Sequence, residues 1–139
     1  MASRLNPYLS FDGNAREAME FYQSVFGGDL TINTYGEFGA PDKSAADKIM
    51  HAQLETAEGY TLMGADTPPG ADYRSGGSIT VSLSGDPASP LREYWEKLAD
   101  GGAVQVPLEK QMWGDHFGQL TDRFGTAWMV NIGQSHGGA

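Results

Sequence analysis

Gln53-Leu54, Gly59 and Met63 recur as Gln119-Leu120, Gly125 and Met129, each 66 residues further along the chain. A constant separation across a strand, a turn glycine and a second strand marks a duplicated hairpin, and a duplication limits the possible folds more than any single motif. Earlier in each copy, Leu9-Ser10-Phe11-Asp12-Gly13 resembles Val81-Ser82-Leu83-Ser84-Gly85 at a separation of 72. Both read as short alternating strands that end in a turn and lead into a helix.

In the first helix Ala15, Ala18, Met19, Tyr22, Val25 and Phe26 form one apolar stripe at three- and four-residue spacing. Asn14 with Glu17 predicts a capping box, and Gly27-Gly28 predicts the stop. Leu91, Tyr94, Trp95 and Leu98 repeat the stripe in the second helix, with Pro90 in its first turn and Gly101-Gly102 at its end. Further strands are predicted over 30–38 and 103–109, ahead of the two hairpins. The segment from Gly39 to Lys48 is polar and reads as a surface loop.

Each half is therefore strand, helix, strand, strand, strand. The expected fold is α+β: two βαβββ modules whose paired, curved mixed sheets enclose a cleft, with the helices on the outer faces. The repeats are expected over about 5–66 and 78–133, with a connector at 67–77 carrying Pro68 and Pro69 and a frayed tail at 134–139. His136 falls in that tail and is given no role. A chain of 139 residues makes this a single domain.

Charge and composition exclude several functions. Lys+Arg 9 against Asp+Glu 18 gives a net charge of −9, which repels a phosphate backbone or an anionic membrane surface, so neither nucleic acid nor membrane is an expected partner. A 40% hydrophobic content suffices for a core. The chain has no cysteine, which removes disulfides, thiolate nucleophiles and cysteine metal sites. No apolar run approaches the roughly 18 residues of a membrane span, and the expectation is a cytoplasmic protein.

The βαβββ duplication resembles the vicinal oxygen chelate superfamily, which includes glyoxalase I, bleomycin-resistance proteins and extradiol dioxygenases. Asn6-Pro7-Tyr8-Leu9, Ala18-Met19-Glu20-Phe21-Tyr22, Phe26-Gly27-Gly28 and His51-Ala52 resemble its PhnB-like branch. Trp113-Gly114, Phe117-Gly118, Asp122, Phe124-Gly125 and Trp128-Met129 extend the likeness from about Leu5 to Ile132. Members of that branch are described as glyoxalase-related or as demethylubiquinone methyltransferases, but no Gly-rich strand-to-helix turn of a methyl-donor site is visible.

In metal-dependent members the ligands stand on the first and last strands of each module. The resemblance places those positions near Pro7 and Ser78 and on Met63 and Met129, none of which is a usual ligand for a hard or borderline cation. It therefore implies no metal, and no cofactor is expected. It also implies a homodimer.

Alternation puts His51, Gln53 and Glu55 on one strand face, and Phe117 and Gln119 at the matching places in the second copy. The expected ligand-binding set is His51, Gln53, Met63, Trp113, Phe117, Gln119 and Met129, lining a cleft for a small, partly apolar molecule. Tyr35 and Phe38 are further candidates for an aromatic wall. Asp122 is expected to support the turn before Gly125. Catalytic candidates are His51, His116 and Glu55; His116 and its neighbour Asp115 point to opposite faces of a strand, which disfavours a direct dyad. Three readings stand at this point: a small-molecule-binding protein with a degenerate metal site, a lyase or dioxygenase with a rearranged metal site, or an interaction module.

Overall fold

In a computed structural model of the chain, the described residues are 5–39, 46–67 and 79–133. Ser78, most of the predicted connector, part of the polar loop and the tail with His136 lie outside them. The elements are β1 (Tyr8–Phe11), α1 (Ala15–Phe26), β2 (Asp29–Thr34), β3 (Ile49–Glu55), β4 (Thr61–Asp66), β5 (Val81–Gly85), α2 (Leu91–Ala99), β6 (Ala103–Lys110), β7 (His116–Thr121) and β8 (Ala127–Ile132). Two compact units divide the chain, residues 1–75 and 76–139. Each is one βαβββ module.

The first unit is a four-stranded sheet of order β1-β4-β3-β2, and the second repeats it as β5-β8-β7-β6. The first strand of each module lies parallel to the last, while the other pairs are antiparallel. A parallel neighbour needs a long connection, and the helix supplies its start. Both sheets are mixed for that reason.

Every member of the predicted α1 stripe is buried, with Ala15, Ala18, Met19 and Tyr22 at 0% exposure. Burying a side chain such as Met19 contributes about 1.5–3 kcal/mol. The helix stops where expected, at Gly27 and Gly28 with φ of 73° and 97°. Its start differs from the predicted capping box, because Asn14 makes no side-chain cap. Asp66 takes that role from the end of β4, its Oδ1 accepting the Ala15 N–H at 2.9 Å. The predicted strand over 30–38 is also shorter: β2 ends at Thr34, and Gly36–Phe38 forms a 3₁₀ turn closed by Gly39.

A bulge shapes β3. Asn33 pairs with His51 but Thr34 pairs with Ile49, which leaves Met50 as the extra residue. Ile49 thereby joins Ala52 and Leu54 on the face packed against α1. The bulge lies beyond His51, so the alternation of His51, Gln53 and Glu55 is preserved.

The second unit buries Leu91, Tyr94, Trp95 and Leu98 of α2 together with Leu120, Trp128, Val130 and Ile132. Trp95 is the bulkiest residue of the α2 stripe, and Gly118 leaves room for its ring. A Cβ at Gly118 would stand 2.7 Å from the Trp95 ring and 2.9 Å from the Leu108 Cα, whereas the equivalent position 66 residues earlier is Ala52. Gly118→Ala is expected to cost about 1–3 kcal/mol, because the strand cannot yield as a side chain could. Urea melts check this, and an unchanged midpoint would show that Trp95 repacks freely.

Register also corrects the repeat alignment. Phe11 pairs with Asp66 and Gly85 with Ile132, so the first strands correspond at 85 − 11 = 74 rather than 72. A two-residue slip keeps every side chain on its own face, which is why the sequence pattern does not reveal it.

Candidate functional site

In each unit the helix covers one sheet face, and the side chains of interest stand on the other, the far face. Three half-buried residues of the predicted set come together in the first unit. Met63 lies beside Tyr8 of β1 and directly opposite Gln53 of β3, which in turn faces Thr31 of β2. The Tyr8 hydroxyl reaches across β4 to His51 Nδ1 at 3.1 Å, and His51 Nε2 lies 3.3 Å from Gln53 Oε1. The Tyr8 and His51 rings are 5.7 Å apart and tilted.

The second unit repeats the row with different chemistry. Met129 lies between Ser82 and Gln119, and Gln119 faces Val106. Phe117 packs edge-on against Trp113 at 6.1 Å, and Trp113 is 59% exposed. Asn131, also on this face, donates from Nδ2 to the Asp115 carboxylate at 3.0 Å.

The other two catalytic candidates lie apart from these rows. His116 is on the helix side of its sheet, where it lines a cavity of about 340 Å³ with Pro87, Ser89, Pro90, Arg92, Glu93 and Ile132. Glu55 is exposed at the end of β3, beside a cavity of about 460 Å³ that includes Asn6, Thr56 and Tyr60. Among the described residues no three of His, Asp and Glu gather as metal ligands.

Tyr35 donates its hydroxyl to the Asp66 carbonyl at 3.0 Å. Burial, followed by the charges of Asp66 and Tyr8, raises its phenol above the ordinary value, so it remains a hydrogen-bond donor into the alkaline range. The side chain of Phe38 is outside the described residues. Asp122 is 4% exposed and holds its turn together: Oδ1 accepts from the Phe124 and Thr126 N–H groups, and Oδ2 accepts from Trp128 Nε1.

Tyr8 was not among the sequence-predicted site residues. Its alternation with Leu9 and Phe11 gives its face, but only the parallel pairing of β1 with β4 brings it to His51, 43 residues away.

A sequence model of the family described as 3-demethylubiquinone-9 3-methyltransferase matches residues 3–131. The chain belongs to that family. It is the PhnB-like branch anticipated from the motifs, and the relatives agree. Protein YjdN of Escherichia coli is 30% identical, the match covering 92% of this chain and 94% of YjdN. The crystal structure of PA1353 from Pseudomonas aeruginosa has 38% identity and a TM-score of 0.86 over 96% of this chain and all of the other. The PhnB protein from Bacillus cereus, itself described as a 3-demethylubiquinone-9 3-methyltransferase, has 26% identity and a TM-score of 0.75, with 94% and 99% of the two chains covered. A glyoxylase/bleomycin resistance protein/dioxygenase domain from Frankia shares the fold at 15% identity and a TM-score of 0.65, over 96% and 99%. The fold of this PhnB-like chain is thus that of the glyoxalase/bleomycin resistance/dioxygenase superfamily.

Proposed function

We propose that this PhnB-like protein binds a small, partly apolar molecule on the far faces of its sheets, and that the divalent-metal centre of its superfamily has been lost. The observation that carries the reading is the repeated row, Gln53 opposite Met63 and Gln119 opposite Met129. A thioether offers polarizable apolar surface and an amide offers one donor and one acceptor group, which together suit a neutral ligand with a few polar handles. The donor set does not suit a Zn-, Fe- or Mn-type ion: the last-strand positions are thioethers, and both ring nitrogens of His51 are within hydrogen-bond reach of protein groups.

Methyl transfer is not the reading. A nucleotide-type methyl donor favours a strand-to-helix turn with free helix N–H groups. Here the turn from β1 into α1 presents its Ala15 N–H to the Asp66 carboxylate instead.

Two measurements test the proposal. Elemental analysis of protein purified without chelator is expected to find far less than one Zn, Ni, Fe or Mn per chain; about one per chain would favour a lyase or dioxygenase instead. Methyl resonances of Met63 and Met129 are expected to shift when small aromatic or aliphatic probes are added, while Met19, at 0% exposure beneath the helix, stays still. A titration that moves neither would remove the far face as a binding surface.

A homodimer belongs to the same proposal. Each sheet ends in an edge strand that a two-fold partner can cover, β6 being largely exposed along its length. Light scattering at micromolar concentration is expected to give twice the chain mass, and a monomer mass would overturn it.

A further inference from the structure

Tyr8, His51 and Gln53 are hydrogen-bonded in series, and the series has a direction. The Gln53 carbonyl oxygen, an acceptor only, stands 3.3 Å from His51 Nε2, a pairing that is made when that nitrogen carries the proton. A neutral imidazole protonated at Nε2 has a bare Nδ1, which can only accept. The Tyr8 hydroxyl, 3.1 Å away, therefore donates to it. Having spent its one proton, the Tyr8 oxygen has only lone pairs left for another partner. That oxygen belongs to a residue 51% exposed, on the face where Met63 lies beside it.

We infer that Tyr8 is the specificity-determining residue of the far-face site, and that it selects small ligands carrying a hydroxyl, or an equivalent O–H or N–H donor, over isosteres that can only accept. The inference rests on the proposed binding reading and names its ligand class: an apolar body laid against Met63 with a donor group directed at the Tyr8 oxygen. Gln53 acts as a positioning residue. Its part in this selection, beside the polar handle that its amide offers the ligand, is to fix the His51 tautomer that sets the polarity of Tyr8.

The experiment uses the intact chain in mildly alkaline buffer. Nitrogen-15 spectra of the His51 ring are expected to show the proton on Nε2, and a proton on Nδ1 would overturn the inference without any ligand present. Phenol and anisole, which differ by the donor hydrogen and a methyl group, then serve as probes read through the Met63 methyl resonance. Phenol is expected to bind about three- to ten-fold more tightly, the worth of one ordinary hydrogen bond.

Tyr8→Phe is expected to abolish the preference, so that phenol and anisole bind alike. Because the Tyr8 ring is half exposed, this variant retains the packing of the fold, and a thermal melt verifies that. Gln53→Leu is expected to release the tautomer in the nitrogen spectrum and weaken the preference, whereas Gln53→Glu, still an acceptor, retains both. A merely structural Gln53 would change the melt without moving the tautomer. Equal binding of the two probes, or a preference for anisole, would overturn the selection by Tyr8 while leaving the far face as a binding surface. If neither probe perturbs Met63, the binding reading fails and the inference falls with it.

Discussion

Asp122→Ala is expected to destabilise the protein by about 3–5 kcal/mol, one of the largest effects open to a single polar side chain here. Asp122 sits in the turn between β7 and β8, 4% exposed, and its accepted hydrogen bonds include three from its own turn and strand. Two come from backbone N–H groups, Phe124 at 2.8 Å and Thr126 at 3.1 Å, which the loosened turn could partly return to water. The third comes from Trp128 Nε1 at 2.8 Å, and Trp128 is only 1% exposed. Losing a charged acceptor costs most at so deeply buried a donor. Hydrogen bonds to an ionised acceptor contribute about 1.5–3 kcal/mol each, but they share one carboxylate and are not additive. Asp122→Asn keeps one acceptor oxygen and sets an amide donor against a donor, so an intermediate loss of about 1–3 kcal/mol is expected. Urea denaturation followed by circular dichroism gives both values. A loss below about 1 kcal/mol for the alanine variant would mean that water replaces the carboxylate even at the indole.

Asp122 also shows what a sequence can convey about this fold. Its partners are two, four and six residues away, so turn chemistry alone suggests its role. The helix stripes and the hairpin repeat are legible for the same reason: periodicity is a local signal, and the burial of Met19, Tyr22, Leu91 and Leu98 follows it. What escapes is non-local. The 66-residue repeat aligns the hairpins, yet the first strands slip by two residues because alternation cannot distinguish them. His51, Gln53 and Met63 could be placed on one face from spacing, whereas Tyr8 needed the strand order. The His116 side chain could be assigned a face opposite Phe117, but its neighbours Arg92 and Pro90 come from the helix start and no pattern announces them.

The second large effect concerns the residue least legible in the sequence. Asp66, 3% exposed at the end of β4, closes the first predicted repeat with no role assigned from the sequence, and its carboxylate joins two elements that are far apart in the chain. Oδ1 accepts from Ala15 N at the start of α1, and Oδ2 accepts from Ile49 N beside the β3 bulge, each at 2.9 Å. A carboxylate at a helix N-terminus also gains from the helix dipole. Asp66→Ala leaves two buried N–H groups without partners and is expected to cost about 3–4 kcal/mol. Amide exchange distinguishes this from a general loosening, since Ala15 and Ile49 should exchange on the order of a hundred-fold faster, beyond the change at Leu54. Tyr35 gives a second readout. Its hydrogen bond goes to the Asp66 backbone carbonyl and survives the substitution, but one of the charges that raises its phenol is removed. The phenol is expected to move back toward its ordinary value while burial, the larger cause, keeps it above. Since a raised phenol favours the folded state below its unfolded value and loses that advantage as pH climbs through the folded one, the variant loses it over a narrower alkaline window. An unshifted Tyr35 with unchanged exchange at Ala15 would show that the start of α1 and the β3 bulge are held together without the Asp66 carboxylate.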